Sequence, residues 1–277
     1  MELTINVIDA FTHTNFKGNP AAVIITEHWL NDELMQKIAI ENNLSETAFV
    51  KKIDQQHYEI RWFSPITEID FCGHATLAAS FVIFANINAS KVKPCHNTDK
   101  NTELNTIDFY AKAVGNLVVT AKEDGFFEMC FPNTCPQLID DVPEALLNGL
   151  SIAPSQVLVN NQAYFVVYPN ENDVRKVTTN NALLSELAPF DVVVTAQSTA
   201  YDFISRYFWP ANGGDEDPVT GSIHTGLAPY WAEKLNKNNL IAYQASSRGG
   251  VLYCQVTDDK VVISGQAVQY LAGKITV

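Results

Sequence analysis

Residues 75–87 are apolar almost all round at helical length. A helix at a protein surface needs one polar face, so this one has to lie inside a protein, covered on every side. The wider apolar stretch, 75–89, is interrupted by Ser80, Asn86 and Asn88 and falls short of the roughly 20 residues of a membrane span. Protein, not lipid, must therefore wrap around it.

Short β-branched and aromatic runs to form that wrapping are plentiful, at 106–111, 116–121, 126–131, 156–160, 163–168, 191–196, 201–208, 241–245, 251–256 and 260–264. Earlier in the chain, runs at 7–11 and 21–25 flank Gly18-Asn19-Pro20, which reads as a hairpin turn. From Asn31 the period changes: Leu34, Met35 and Ile38 share a face, Asn31 or Asp32 can cap, and Asn42-Asn43 can end an amphipathic helix. Strands are expected at 47–50 and 58–63, the second stopped by Ser64-Pro65. The expected class is α+β with mostly antiparallel strands.

The chain has 277 residues, 47% apolar and 18% charged, which suits two domains and excludes disorder. Its net charge of −13 repels phosphate backbones, so nucleic acid is not an expected partner. Cys72, Cys95, Cys130, Cys135 and Cys254 are an odd set in a chain too long to need staples. Glu2 and Asp9 occupy the N-terminal stretch where a signal peptide would be basic and then apolar, so the expected setting is the cytoplasm, with no membrane partner.

The chain repeats itself. Arg61-Trp62-Phe63-Ser64-Pro65, acids at Glu68 and Asp70, and Cys72-Gly73-His74 open the first buried helix. Arg206-Tyr207-Phe208-Trp209-Pro210, acids at Asp215, Glu216 and Asp217, and Thr220-Gly221-Ser222 open a second helix-like stretch. Arg206 lies 145 residues beyond Arg61, and Gly221 lies 148 beyond Gly73, about half the chain. This implies a duplicated domain, 1–118 and 119–265, with Glu123-Asp124-Gly125 as a hairpin turn within the second half and the boundary near Val118.

Glu46 sits where a helix ends and an apolar strand begins, which makes it a candidate base, although the segment alone favours a solvated turn glutamate. Gly73-His74 and Gly221-Ser222 stand at helix starts, whose free N–H groups and positive dipole end suit an anion. Without a lysine or dinucleotide glycine spacing, a small carboxylic acid fits better than a nucleotide phosphate. Ordinary capping is the structural alternative. Cys72 could be a thiolate nucleophile or a small buried residue, and Asp217 a cap or a group that orients substrate. The histidines show no ligand spacing, so no metal is expected. Arg248-Gly249-Gly250 reads as a hairpin turn.

Gly18-Asn19-Pro20-Ala21-Ala22-Val23, residues 43–49, Arg61-Trp62-Phe63, Cys72-Gly73-His74-Ala75-Thr76 and residues 216–222 together resemble the PhzF-like phenazine-biosynthesis isomerase family over essentially the whole chain. The resemblance implies the diaminopimelate-epimerase-like fold: two pseudo-symmetric β-barrels, each closed around a central helix, with an active site in the cleft between them. It further implies that 266–277 return to the first domain, that the protein is a homodimer, and that no cofactor is used. Glu46 matches the family's acid/base, with His74 and Asp217 as its partners; Gly73, His74, Gly221 and Ser222 match the carboxylate-binding helix ends. The family's phenazine enzyme moves a double bond in a dihydro-hydroxyanthranilate by a proton shift.

Three departures bear on this. Related two-base epimerases place a cysteine at both repeated helix starts, whereas this chain has Cys72 and Thr220, so two-cysteine epimerisation is disfavoured. Ile223 stands where the family often has a small residue, and Pro229 should kink the second central helix or remove a hydrogen bond. The leading expectation is a cofactor-independent isomerase of a small unsaturated or cyclic amino or hydroxy acid. The alternatives are a non-catalytic acid-binding or interaction protein, and a Cys72-dependent hydrolase.

Overall fold

The computed structural model describes residues 1–91 and 105–277; Cys95 and His96 lie outside them. The chain divides into two compact units, one formed by Met1–Phe16, Pro20–Cys130 and Ser264–Val277, the other by Lys17–Asn19 and Phe131–Ile263. The first holds β1 (Glu2–Ala10), β2 (Asn19–Thr26), α1 (Asp32–Asn42), β3 (Glu46–Lys52), β4 (His57–Phe63), β5 (Glu68–Ile69), α2 (Gly73–Lys91), β6 (Thr106–Ala111), β7 (Gly115–Ala121) and β8 (Phe126–Pro132). The second holds β9 (Gln137–Leu138), α3 (Glu144–Gly149), β10 (Gln156–Val159), β11 (Ala163–Val167), α4 (Glu171–Lys176), α5 (Asn181–Leu184), β12 (Asp191–Gln197), β13 (Phe203–Phe208), β14 (Glu216–Asp217), α6 (His224–Leu235), β15 (Asn239–Gln244) and β16 (Gly250–Val256). A last strand, β17 (Lys260–Thr276), starts in the second unit and ends in the first.

In the first unit the strands close on themselves in the order β17, β1, β2, β3, β4, β6, β7, β8 and back to β17. The β2–β3 and β4–β6 pairs are parallel and the other described registers antiparallel. The barrel surrounds α2, whose Ala75, Leu77, Ala78 and Ala79 have no exposed surface. Burial runs through Phe84; Ala85 and Asn86 are exposed, so the expectation of burial to Ile87 fails in the last turns. Buried hydroxyls are accommodated by bonding back along the helix, Thr76 Oγ1 to the Cys72 carbonyl at 2.6 Å and Ser80 Oγ to the Thr76 carbonyl at 2.8 Å.

Outside the barrel wall, α1 begins at Asn31, whose side chain accepts from the Leu34 N–H at 2.8 Å. It ends at Asn43 in the left-handed region, φ 47°. Met35, Ile38 and Ala39 pack on Phe49 and Phe63 of β3 and β4, each larger side chain contributing roughly 1.5–3 kcal/mol by burial.

The second unit repeats the plan. Parallel β2–β3, antiparallel β3–β4, antiparallel β4–β5, parallel β4–β6 and antiparallel β6–β7 recur as β11–β12, β12–β13, β13–β14, β13–β15 and β15–β16. Side chains repeat too. Arg61 grips Glu68 with two hydrogen bonds and lies over the Phe63 ring at 5.2 Å; Arg206 grips Glu216 with two and lies over Phe208 at 4.9 Å. The fold is α+β, a duplicated barrel built around a central helix.

The units part at Cys130–Phe131, beyond Val118. Residues 119–130 belong with the first unit because β7 and β8 form a hairpin that closes its barrel. The hairpin turns through Asp124 and Gly125, both at positive φ. The end of β17 pairs with β1 from Ala10 opposite Ala267 to Glu2 opposite Thr276. Gly18-Asn19-Pro20 is not the tip of a hairpin: Gly18 has φ 66°, and Asn19 and Pro20 already open β2. Among the described residues, no helix is long and apolar enough to cross a membrane.

Candidate active site

In the first unit, the left-handed turn at Asn43 delivers Glu46 to the first position of β3, opposite Ala21 of β2. There it meets the start of α2. His74 Nε2 lies 3.1 Å from Glu46 Oε2, and His74 Nδ1 lies 3.3 Å from Cys72 Sγ. All three residues are buried. The imidazole faces Oε2 at ion-pair distance but off the direction of a hydrogen bond, so Oε2 has no directed donor among the described residues. Gly73 and His74 are the first residues of α2, where backbone N–H groups have no intrahelical acceptor.

Burial, with Glu46 close by, pushes the Cys72 thiol up to about 11, so the helix start does not make it a thiolate. For His74 burial opposes protonation, but the Glu46 carboxylate and the hydrogen bond to the Cys72 sulfur outweigh it and hold the imidazole well above its ordinary range. Glu46, Cys72 and His74 each offer a ligand atom within 4.8 Å of the others, a juxtaposition that residue spacing did not reveal.

In the second unit, Asp217 ends β14. Its Oδ1 accepts from Asn19 Nδ2 at 2.7 Å, and its Oδ2 accepts from the Thr220 hydroxyl. Gln244 completes the clamp, donating to the Asp217 carbonyl at 2.8 Å and accepting from the Thr220 N–H at 2.9 Å. Asn19 is fully buried and also donates to the Val219 carbonyl at 2.9 Å. Sequence reasoning missed it; an amide locked between Gly18 and Pro20 ahead of an apolar strand was the available signal. Arg248 is more than a turn residue, since it donates to the carbonyls of Gly18 at 2.8 Å and Lys17 at 3.0 Å and so ties this segment to the second unit.

Gly221 and Ser222 form a turn ahead of α6, which starts at His224, a turn later than expected. The Ser222 hydroxyl accepts from Gln162 Nε2 at 2.9 Å. Pro229 lies within α6 without ending it. The bond it cannot donate to the Thr225 carbonyl is replaced from outside by the Thr134 N–H at 3.1 Å. The first unit thus assembles Glu46, Cys72, Gly73 and His74, and the second assembles Asp217, Thr220, Gly221 and Ser222.

The first unit of this duplicated, epimerase-like fold thus buries a carboxylate–imidazole pair at a helix start. The profile described as Phenazine biosynthesis-like protein matches residues 8–273. The chain is 42% identical to the "Uncharacterized isomerase BH0283" of Halalkalibacterium halodurans over 277 residues, 99% of each protein. It is 35% identical to the "Phenazine biosynthesis-like domain-containing protein" of Bos taurus over the full length of both. A phenazine biosynthesis protein of the PhzF family from Enterococcus faecalis superposes with a TM-score of 0.89 at 39% identity, covering all of both chains. The chain belongs to the phenazine biosynthesis-like family, and it is an isomerase by class.

Proposed function

We propose that this protein is a cofactor-independent isomerase that shifts a proton on a small unsaturated or cyclic amino or hydroxy carboxylic acid. The observation that carries this reading is the buried Glu46–His74 pair at the start of α2. Glu46 takes the proton from a carbon of the substrate, the C–H electron pair enters the neighbouring π system, and the proton returns at another carbon, moving the double bond. Nothing is oxidised or reduced. His74, held protonated, orients Glu46 and supplies positive charge as charge develops. The backbone N–H groups of Gly73 and His74 receive the substrate carboxylate. In the second unit, the turn at Gly221 and Ser222 offers the same kind of donors, and Asp217, clamped by Asn19 and Thr220, acts as an acceptor for a substrate amine or hydroxyl. The family resemblance adds a homodimer and a cytoplasmic setting to this reading; sedimentation at micromolar concentration tests the dimer. A Cys72-dependent hydrolase is disfavoured by a thiol that burial keeps protonated.

Glu46→Gln tests the proposal, because it keeps size and hydrogen bonding while removing the proton acceptor. With small unsaturated amino acids in deuterated water, followed by NMR, carbon-bound deuterium and isomerisation should fall about 100-fold or more while binding persists. Equal rates for wild type and Glu46→Gln, or loss only in Cys72→Ala, would move the chemistry to the thiol.

A further inference from the structure

The duplication supplies an internal comparison. Asp191 opens β12 opposite Ala163 of β11, as Glu46 opens β3 opposite Ala21 of β2. Tyr207 lies across from Val193, two residues beyond Asp191; Trp62 lies across from Ala48, two beyond Glu46. Asp191–Tyr207 and Glu46–Trp62 are therefore the same pair in the two copies, an acid and an aromatic donor placed diagonally on one face of antiparallel strands. In the second unit this pair closes on itself, since the Tyr207 hydroxyl donates to Asp191 Oδ2 and accepts from Gln162 Nε2 at 3.0 Å.

In the first unit the pair stays open. Trp62 is 1% exposed, yet its Nε1 has no hydrogen-bond partner among the described residues, while Glu46 Oε2 faces His74 Nε2 at 3.1 Å instead of the indole. The Trp62 ring meets Phe71 edge-on at 5.6 Å, directly before Cys72 and His74. A donor left unpaired in a protein interior is costly, and in the twin unit the aromatic donor at the same register position does have an acceptor.

We propose that Trp62 is a substrate-binding residue of the isomerase site, its indole N–H taking a substrate oxygen attached next to the carbon whose proton Glu46 removes. This rests on the reading of Glu46 as the acid/base. It narrows the substrate class to acids carrying a carbonyl, carboxylate or hydroxyl oxygen at that position. As the proton passes to Glu46 and the C–H electron pair moves into the π system, negative charge building on that oxygen meets a donor already in place.

Trp29, Trp62, Trp209 and Trp231 should give four indole signals in the 15N–1H spectrum of the whole chain. The Trp62 signal is assigned by its loss in Trp62→Phe, or by its proximity to Phe71 should that variant not fold. With anthranilate, and then maleate, as probes, the Trp62 indole should shift together with the backbone amides of Gly73 and His74. Trp62→Phe should weaken probe binding by roughly 3- to 10-fold, the scale of one hydrogen bond. Trp62→Tyr rebuilds the pairing of the second unit, so its hydroxyl should occupy Glu46 and lower deuterium exchange further than Trp62→Phe does. Gly73 and His74 moving while the Trp62 indole stays still would overturn the assignment and leave the Glu46 reading intact. If none of the three moves with either probe, the carboxylate site falls and Trp62 with it. A trapped-water contact to the indole that persists unchanged with probe bound would also overturn it.

Discussion

Cys72 illustrates how a neighbour can matter without being a nucleophile. Its sulfur lies 3.3 Å from His74 Nδ1 and is among the influences that hold the imidazole protonated. Cys72→Ala removes that partner, so the His74 titration followed by ring-proton NMR should move to lower pH. Cys72→Ser keeps an acceptor and should stay nearer wild type, and turnover in both should remain within about tenfold of wild type, unlike the collapse of a lost acid/base. An unmoved His74 midpoint in Cys72→Ala would show that the sulfur contact has no hold on the ring. Glu46, Cys72, Gly73 and His74 were legible because each lies in a short motif with local chemistry. Asn19 and the open N–H of Trp62 were not, because their meaning depends on partners that only the tertiary fold brings near or leaves absent. Spacing rules failed on the Glu46–Cys72–His74 cluster for the same reason, since two separate stretches of chain meet there.

At the level of elements, local signals served where local physics decides. The Asn31 cap and the left-handed Asn43 of α1 follow from side-chain hydrogen bonding and turn preference. The short α3, α4 and α5 were missed because four to six residues carry too little periodicity to read. For Pro229 the sequence implies a kink or a lost hydrogen bond; the loss is what occurs, and the Thr134 N–H that relieves it comes from a distant stretch of chain. That relief has a measurable consequence. Replacing a proline in a helix interior ordinarily recovers about 3 kcal/mol, but here the Thr225 carbonyl already has its donor and Pro229 itself is buried. Pro229→Ala should therefore yield less than about 1 kcal/mol of added stability in urea unfolding, at unchanged m-value. A gain near the full helix-propensity value would show that the Thr134 bond does not replace the missing one.

For the whole molecule, the duplication was readable because Arg61 and Arg206, with their acids and aromatics, recur at nearly one offset. The division between units was placed too early because a hairpin strand and a terminal strand look alike until their pairing is known. A single buried imidazole also sets an acid limit on the molecule. His224, fully buried at the start of α6, has Nδ1 2.8 Å from the Thr220 carbonyl, so the proton sits on Nδ1 and Nε2 is left without a partner among the described residues. Burial lowers its pKa from 6.5 to about 4, with the Thr220 bond only partly opposing. Above pH 6.5 the ring is neutral whether folded or unfolded and contributes no pH dependence. Between 6.5 and about 4 the unfolded chain takes up a proton that the native state refuses, so stability falls as the pH drops and levels off below 4. The loss from this group is of order 3 kcal/mol at most. His224→Phe keeps a ring against Phe203 but removes the titration. It should be the less stable protein at pH 7, where the Thr220 bond is missed, and close the gap to wild type by about that amount at pH 4. Chemical unfolding of both proteins across this range measures the gap, and a constant difference from pH 7 to 4 would assign the acid limit to other groups.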